Sequence, residues 1–209
     1  RGNLAEFGAY YKIKRGMAQK NDEHFEKLIT HKFNKNHFFE PYKEISNAIE
    51  IAKKFEDKLY ERQLRDIISY QKEKVASIQG IKYPVRLFTD FEYDNLIVDL
   101  KSTLRLPTKP KIDHLRQQAL YSVLHDKPIA LLYASPKKTF WYDLTKEDVK
   151  EGYTELLRDF KSLENYIDMC NNSIEDAIKI TPLNTDPSPF YWDNNIKKAA
   201  IKVWQTVNK

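Results

Sequence analysis

Apolar side chains recur at helical spacing along residues 45–68. They stand three or four positions apart, with Lys, Glu and Arg between them, as in an amphipathic helix that packs on a core. The apolar positions are Ile45, Ala48, Ile49, Ala52, Phe55, Leu59 and Ile67. After residue 70 the pattern changes to short runs with β-branched and aromatic residues. These runs predict strands at 75–78, 85–90 and 96–101.

Helical spacing returns in the second half of the chain and predicts a helix over 112–125. Residues 129–135 are almost wholly apolar, which is typical of a buried strand, and 139–144 predict a further short strand. Thr145 and Asp148 have the spacing of a capping box and therefore predict that another helix begins there.

The order of these elements is helix, three strands, helix, strand. Strands that alternate with helices predict an α/β (α+β) fold with a central mixed β-sheet flanked by helices. The chain has no repeat and no low-complexity linker, so a single domain over 1–209 is expected. Its core would span about 45–170, with an N-terminal helical segment at 1–44 and a C-terminal loop and helix at 171–209.

Composition narrows the choice of partner and compartment. The 209 residues carry 35 Lys and Arg against 30 Asp and Glu, and this formal charge of +5 weakly favours an anionic partner. The single cysteine, Cys170, excludes an internal disulfide, a thiolate zinc site and an iron–sulfur cluster within one chain. No apolar run is long enough to span a membrane, and residues 1–20 lack a signal core. We therefore expect a cytoplasmic protein without a membrane partner.

Two acidic residues and a lysine stand out in the second and third predicted strands. Side chains alternate between the faces of a strand, so Asp99 and Lys101 share one face. If residues 92–95 close a hairpin, Asp90 lies beside Asp99 on the neighbouring strand. Two carboxylates so placed repel unless a cation lies between them, and oxygen ligands suit Mg²⁺ or Mn²⁺. The spacing alone is equally compatible with a surface hairpin that carries an Asp–Lys pair at its rim.

The same residues resemble the signature of the PD-(D/E)xK nuclease superfamily. Asp90 is followed by eight residues and then by Asp-Leu-Lys at 99–101, after an apolar strand. The segment IVDLKST resembles the DxKT version of RecB-like nucleases and phage recombination exonucleases, with Ser102 between Lys101 and Thr103. Thr89 stands where the signature's name has Pro, a position that varies within the superfamily.

Those families carry a Q-x-x-x-Y motif on the helix that follows. Gln117 and Tyr121, in LRQQALY, fit it, and their spacing of four places them on one helical face. The resemblance implies an αβββαβ restriction-endonuclease-like core, with Gln117 and Tyr121 binding the substrate. Lys109 and Lys111 are candidates for phosphate contacts, although solvated loop charge explains them equally well.

The resemblance also implies a Mg²⁺ or Mn²⁺ site at Asp90, Asp99 and the backbone carbonyl of Leu100. Lys101 would be the catalytic lysine. Many relatives add a histidine from an upstream helix, for which His24 is the best candidate, and others use a helical Glu. The competing residues for this last position are His31, His37, Glu50, Glu56 and Glu61.

The family members most similar in pattern are RecE-like phage exonucleases, which degrade one strand of linear duplex DNA from a 5′ end beside a single-strand annealing protein. The resemblance therefore implies a DNA exonuclease for recombination, a homo-oligomer and, for a viral protein, the host cytoplasm. Two alternatives stay open. One is a structure-selective or nicking endonuclease with the same core, and the other is a catalytically silent DNA-binding protein.

Overall fold

The structure is a computed structural model that describes residues 2–15 and 41–171, together with four single positions at Lys27, Thr30, Ser173 and Asp176. The helices in these ranges are α1 (Gly2–Arg15), α2 (Pro41–Glu61), α3 (Ile112–His125) and α4 (Lys146–Met169). The strands are β1 (Ser69–Ala76), β2 (Val85–Glu92), β3 (Ile97–Ser102), β4 (Ile129–Ala134) and β5 (Thr139–Asp143).

The five strands form one mixed sheet in the order β1-β2-β3-β4-β5. Neighbouring strands run antiparallel except β3 and β4, which are parallel and are joined through α3. This connection is required because two parallel strands cannot be closed by a tight turn. The predicted α+β fold with a central mixed sheet is confirmed.

One face of the sheet carries the main hydrophobic core. Leu100 and Leu132 are paired across β3 and β4 and pack with Phe55 of α2. Ala5 and Ala9 of α1 are fully buried in the same cluster, and their small side chains allow the helix to approach closely. Because side chains alternate along a strand, the residues on either side of Leu100 belong to the opposite face. That face carries the acidic residues.

The chain forms two compact units. The first comprises Arg1–Ser77 and Pro84–Leu156, so it contains the whole sheet. The second comprises Ile78–Tyr83 and Leu157–Lys209. All residues of the candidate site described below belong to the first unit.

Two element boundaries differ from the sequence predictions. The helix predicted over 45–68 begins at Pro41, a favourable first position for proline, and ends at Glu61. Ile67 is buried although it follows the helix. This burial explains why the apolar pattern predicted a helix that continued to residue 68. The strand predicted at 75–78 is Ser69–Ala76, a mostly exposed edge strand whose polar residues hide its alternation. The remaining predicted strands agree with the structure within two residues.

The other local predictions agree well. The helix predicted over 112–125 has those bounds, and the capping box is formed by Thr145 and Asp148, each of which donates its backbone N–H to the other's side chain at 2.8 and 3.1 Å. Cys170 is buried as a free thiol. No helix within the described residues is long and apolar enough to cross a membrane. The final helix predicted near the C terminus lies outside the described residues.

Candidate active site

Strands β2 and β3 separate at the acidic residues. Their pairing ends with Phe91 opposite Val98, and the backbone N–H of Leu100 donates instead to Asp90 Oδ2 at 2.8 Å. The carboxyl group of Asp90 thus takes the place of a backbone acceptor between β2 and β3. Asp90 and Asp99 are the next two residues in this register and lie on the two separating strands. We call this point the β2–β3 fork.

Lys101 lies beside Asp99 at the fork. Its Nζ is 2.8 Å from Oδ2 of Asp99, and Asp99 is only 2% exposed. Burial alone would lower the pKa of Lys101, but the negative charge of Asp99, followed by those of Asp90 and Glu6, outweighs burial and raises it. The lysine is therefore held as a cation among carboxylates.

A third acidic residue reaches the fork from α1. Burial and the charge of Asp99 raise the pKa of Glu6 to about 7, against the opposing effects of Lys101 and Gln71. Gln71 Nε2 donates to Glu6 Oε2 at 3.4 Å. The backbone of Gln71 has a φ of 47°, which is uncommon for a residue other than glycine and marks local strain. Glu6 was missed by sequence reasoning. Its one signal is an acidic residue between the small positions Ala5 and Ala9.

The carboxylates at the fork crowd one another. Burial, and then the charges of Asp99 and Glu6, raise the pKa of Asp90 well above its usual value, although the Leu100 N–H and Lys101 counteract this. A single ammonium does not balance three carboxylates. The fork therefore concentrates negative charge in a partly buried place.

The fork offers oxygen ligands to a divalent cation. Although Asp99 Oδ2 is close to Lys101, it accepts no hydrogen bond of good geometry. Among the residues that the structure describes, no three Asp, Glu, His or Cys side chains already converge as a metal cage. Asp90 and Asp99 are the candidate pair of donors, and Glu6 is a third carboxylate whose charge acts on Asp90. This all-oxygen set fits the preference of Mg²⁺ and Mn²⁺.

Helix α3 brings the predicted Q-x-x-x-Y residues to the fork. Lys101 Nζ donates to Gln117 Oε1 at 3.2 Å, and Gln117 Nε2 donates to the hydroxyl of Tyr121 at 3.2 Å. The structure therefore joins Asp99, Lys101, Gln117 and Tyr121 in one chain of contacts. The helix positions Gln117 and Tyr121 on one face because they are four residues apart.

A second pair of residues on this face of the sheet was not predicted. His114 lies one helical turn before Gln117, and its Nδ1 is 2.7 Å from the hydroxyl of Tyr133. Tyr133 is the β4 partner of Lys101 in the parallel register. Burial, and then the charge of Lys101, lower the pKa of His114. The signal available in the sequence was a histidine three residues before Gln117.

The remaining candidates lie elsewhere. Lys109 and Lys111 are exposed in the segment before α3, and Lys111 occupies the N-cap position of that helix. His24, His31 and His37 fall outside the described residues.

The proposed helical Glu residues of α2 have their own partners. Glu50 and Glu61 pair with lysines three residues away in the same helix, at 3.5 and 2.8 Å. Glu56 is buried and lies 3.3 Å from Lys12 of α1. The helical Glu that lies beside Asp99 is Glu6, from a different helix than expected.

Comparisons with known proteins add little to this geometry. No family model matches the chain, and no curated protein is significantly similar to it in sequence. A solved structure described as "Crystal structure of SSO0001" matches 76% of this chain and 85% of its own, with 16% identity and a TM-score of 0.40. A similarity at this level identifies neither a family nor a function.

Proposed function

We propose that this chain is a Mg²⁺- or Mn²⁺-dependent deoxyribonuclease of the PD-(D/E)xK type. The observation that carries the proposal is the β2–β3 fork, where Lys101 pairs with Asp99, donates to Gln117 and is subject to the charge of Asp90 on the neighbouring strand. Buried, mutually repelling carboxylates reduce the stability of the fold, and groups with pKa values perturbed in this way cluster at functional sites. A surface hairpin with an Asp–Lys pair at its rim does not account for this burial.

Each residue at the fork has a role in this proposal. Asp90, Asp99 and the Leu100 carbonyl, with Glu6 as a further carboxylate, would hold the cation. When bound, the cation would polarise the phosphodiester and acidify a water molecule. Lys101 would stabilise the negative charge that develops as the phosphorus–oxygen bond breaks, because a buried cation interacts strongly with such charge. Gln117 would fix the position of the ammonium.

We further propose that the enzyme digests linear duplex DNA from its ends in the 5′ to 3′ direction, leaving single strands for an annealing protein. This part depends on the resemblance of residues 85–121 to recombination exonucleases. A physical argument supports it, since a duplex end must be unpaired before one strand reaches buried carboxylates. A homo-oligomer that surrounds the DNA would retain the product, and the formal charge of +5 suits a polyanion.

The test compares linear and covalently closed duplex DNA, labelled at either 5′ or 3′ ends, with Mg²⁺ or with a chelator. We expect only the linear substrate to be degraded. The end label should be released in Mg²⁺ and retained in the chelator. Cleavage of the closed circle would replace the exonuclease by the endonuclease alternative. Failure to cut any DNA in Mg²⁺ or Mn²⁺ would contradict the nuclease proposal.

A further inference from the structure

His114 is held next to the fork by two different elements. It lies on the face of α3 that carries Gln117, which accepts a hydrogen bond from Lys101. Its ring stacks on Tyr133 of β4, with centroids 5.6 Å apart and planes inclined by 28°. Since Tyr133 is paired with Lys101 in the register of β3 and β4, the imidazole is positioned from both sides.

The hydroxyl of Tyr133 contacts both the backbone of Lys111 and the ring of this histidine. The backbone N–H of Lys111 donates to the Tyr133 hydroxyl at 3.3 Å, so it occupies one acceptor position of that oxygen. The second contact of this oxygen is 2.7 Å to His114 Nδ1, and in it the hydroxyl donates when Nδ1 is the unprotonated nitrogen of the ring. In that tautomer Nε2 carries the hydrogen of the neutral ring.

This tautomer decides what His114 is able to bind. A protonated Nε2 is a donor and does not coordinate a cation, so His114 is unsuited to the metal site through that atom. Burial and the charge of Lys101 lower the pKa of the ring, which keeps it neutral near pH 7. A neutral N–H donor beside a lysine suits an anion that the lysine already attracts. Within the described residues, the hydrogen-bonding contact of the ring is made through Nδ1.

We propose that His114 is a substrate-binding residue whose Nε2–H donates to a phosphodiester oxygen of the DNA strand at Lys101. The inference depends on the proposed nuclease function and extends it to a residue outside the Q-x-x-x-Y motif. Tyr133 is the positioning residue, because its hydroxyl fixes the tautomer and the orientation of the ring.

Two near-isosteric substitutions separate substrate binding from a purely structural contact. In His114→Gln the amide reaches the position of Nε2, and in His114→Asn it reaches only the position of Nδ1. We expect His114→Gln to bind and cut linear duplex DNA nearly as well as the unmodified protein. His114→Asn should raise both KM and the Kd measured in Ca²⁺ about tenfold, with little change in kcat, as for one lost hydrogen bond to a charged group. His125→Gln, on the same helix, is the matched control and should change neither constant.

Equal behaviour of the Gln and Asn variants, or better binding by the Asn variant, would overturn the role of Nε2.

A second measurement uses the unmodified protein, so it does not depend on the folding of a variant. The ¹⁵N NMR signal of His114 should show a protonated Nε2 that shifts when a short duplex is added, and an unchanged signal would overturn the inference. If the unmodified protein neither binds nor cuts DNA, the nuclease proposal fails and this inference fails with it. Cutting by the unmodified protein together with equal variants contradicts only the inference.

Discussion

Asp90 and Glu92 lie two residues apart on the same face of β2, yet the protein shifts the pKa values of their carboxyl groups in opposite directions. Glu92 accepts hydrogen bonds from Lys127 at 2.9 Å and Ser69 at 2.7 Å, and Lys72 lies 3.5 Å away. Burial would raise the pKa of Glu92, but these partners outweigh it and lower it to about 2. Asp90 instead has acidic neighbours, which add to burial and raise its pKa.

Burial raises the pKa of both carboxyl groups, and the neighbouring residues decide whether this rise is reversed or increased. At Glu92 the partners are cations and a hydroxyl, so the carboxylate stabilises the junction of β1, β2 and the start of β4. At Asp90 the neighbours are Asp99 and Glu6, so folding brings like charges together. A sequence usually satisfies its buried polar groups, and violations of that rule concentrate at functional sites. The contrast thus separates a carboxylate that stabilises the fold from one that we propose takes part in a reaction.

The largest expected effect follows from removing a charge at the fork. Asp99→Asn should lower DNA cleavage about a thousandfold or more, because it removes a proposed metal ligand with little change of shape. Stability in the absence of metal should change little, because relief of the repulsion with Asp90 offsets the loss of the ion pair with Lys101. Single-turnover cleavage and chemical denaturation check the two statements. Asp94→Asn, in the exposed turn between the same strands, is the control. Near-normal cleavage by Asp99→Asn would remove Asp99 from the reaction.

Glu92→Gln should have the opposite effects to Asp99→Asn, with lower stability and unchanged cleavage. It leaves Lys127 without its carboxylate partner, so the free energy of unfolding should fall by about 2–3 kcal/mol near pH 7 while cleavage is retained. Because the folded pKa is lowered, this contribution is present above the ordinary pKa of Glu and is lost as the pH falls towards 2. Denaturation curves should therefore converge in acid. Glu73→Gln, which removes an exposed pair with Arg86, should change stability far less. Equal losses in the two variants would contradict the comparison.

The Glu6→Gln variant sharpens the contrast through pH. The folded pKa of Glu6 is raised to about 7, so its ionisation opposes folding above that pH, and the penalty disappears below the ordinary pKa. In a chelator, Glu6→Gln should be more stable than the unmodified protein by about 1–2 kcal/mol at about pH 8.5 and equal to it at about pH 4. Glu50→Gln is the control on α2. A stability difference that does not vary with pH would place Glu6 away from the acidic cluster.

The smallest expected effect concerns Gln117. Its contact with the Lys101 ammonium is one hydrogen bond of 3.2 Å, so Gln117→Ala should reduce turnover about tenfold with almost no change in thermal stability. Gln79→Ala, at an exposed glutamine, serves as the control in the same assay. If turnover by Gln117→Ala equalled that of the control, Gln117 would not position the lysine.

Sequence reasoning predicted the central strands and α3 because their signals are strong and local. Strand β4 consists of six buried apolar residues, and the bounds predicted for α3 are those of the structure. Strand β1 was predicted only in part because an exposed edge strand needs no apolar alternation. Most of its side chains face solvent, so the order of polar and apolar residues says little about the conformation of the backbone.

The candidate site was predictable where it is local in sequence. Asp90, Asp99 and Lys101 lie within one hairpin, and alternation alone places Asp99 beside Lys101. Glu6 reaches the same place from a helix far away in the chain, and this depends on how α1 packs on the sheet. The His114–Tyr133 contact likewise needs the parallel register of β3 and β4, which no local pattern specifies.

The most direct test of the account is to find whether the β2–β3 fork binds a divalent cation. Crystals of the unmodified protein and of Asp99→Asn would be soaked in Mn²⁺, and anomalous scattering would locate the ion. We expect a peak within coordination distance of both Asp90 and Asp99 in the unmodified protein, and its loss or marked weakening in the variant. A well-ordered fork without an anomalous peak at saturating Mn²⁺ would contradict the assignment of these carboxylates to a metal-dependent nuclease.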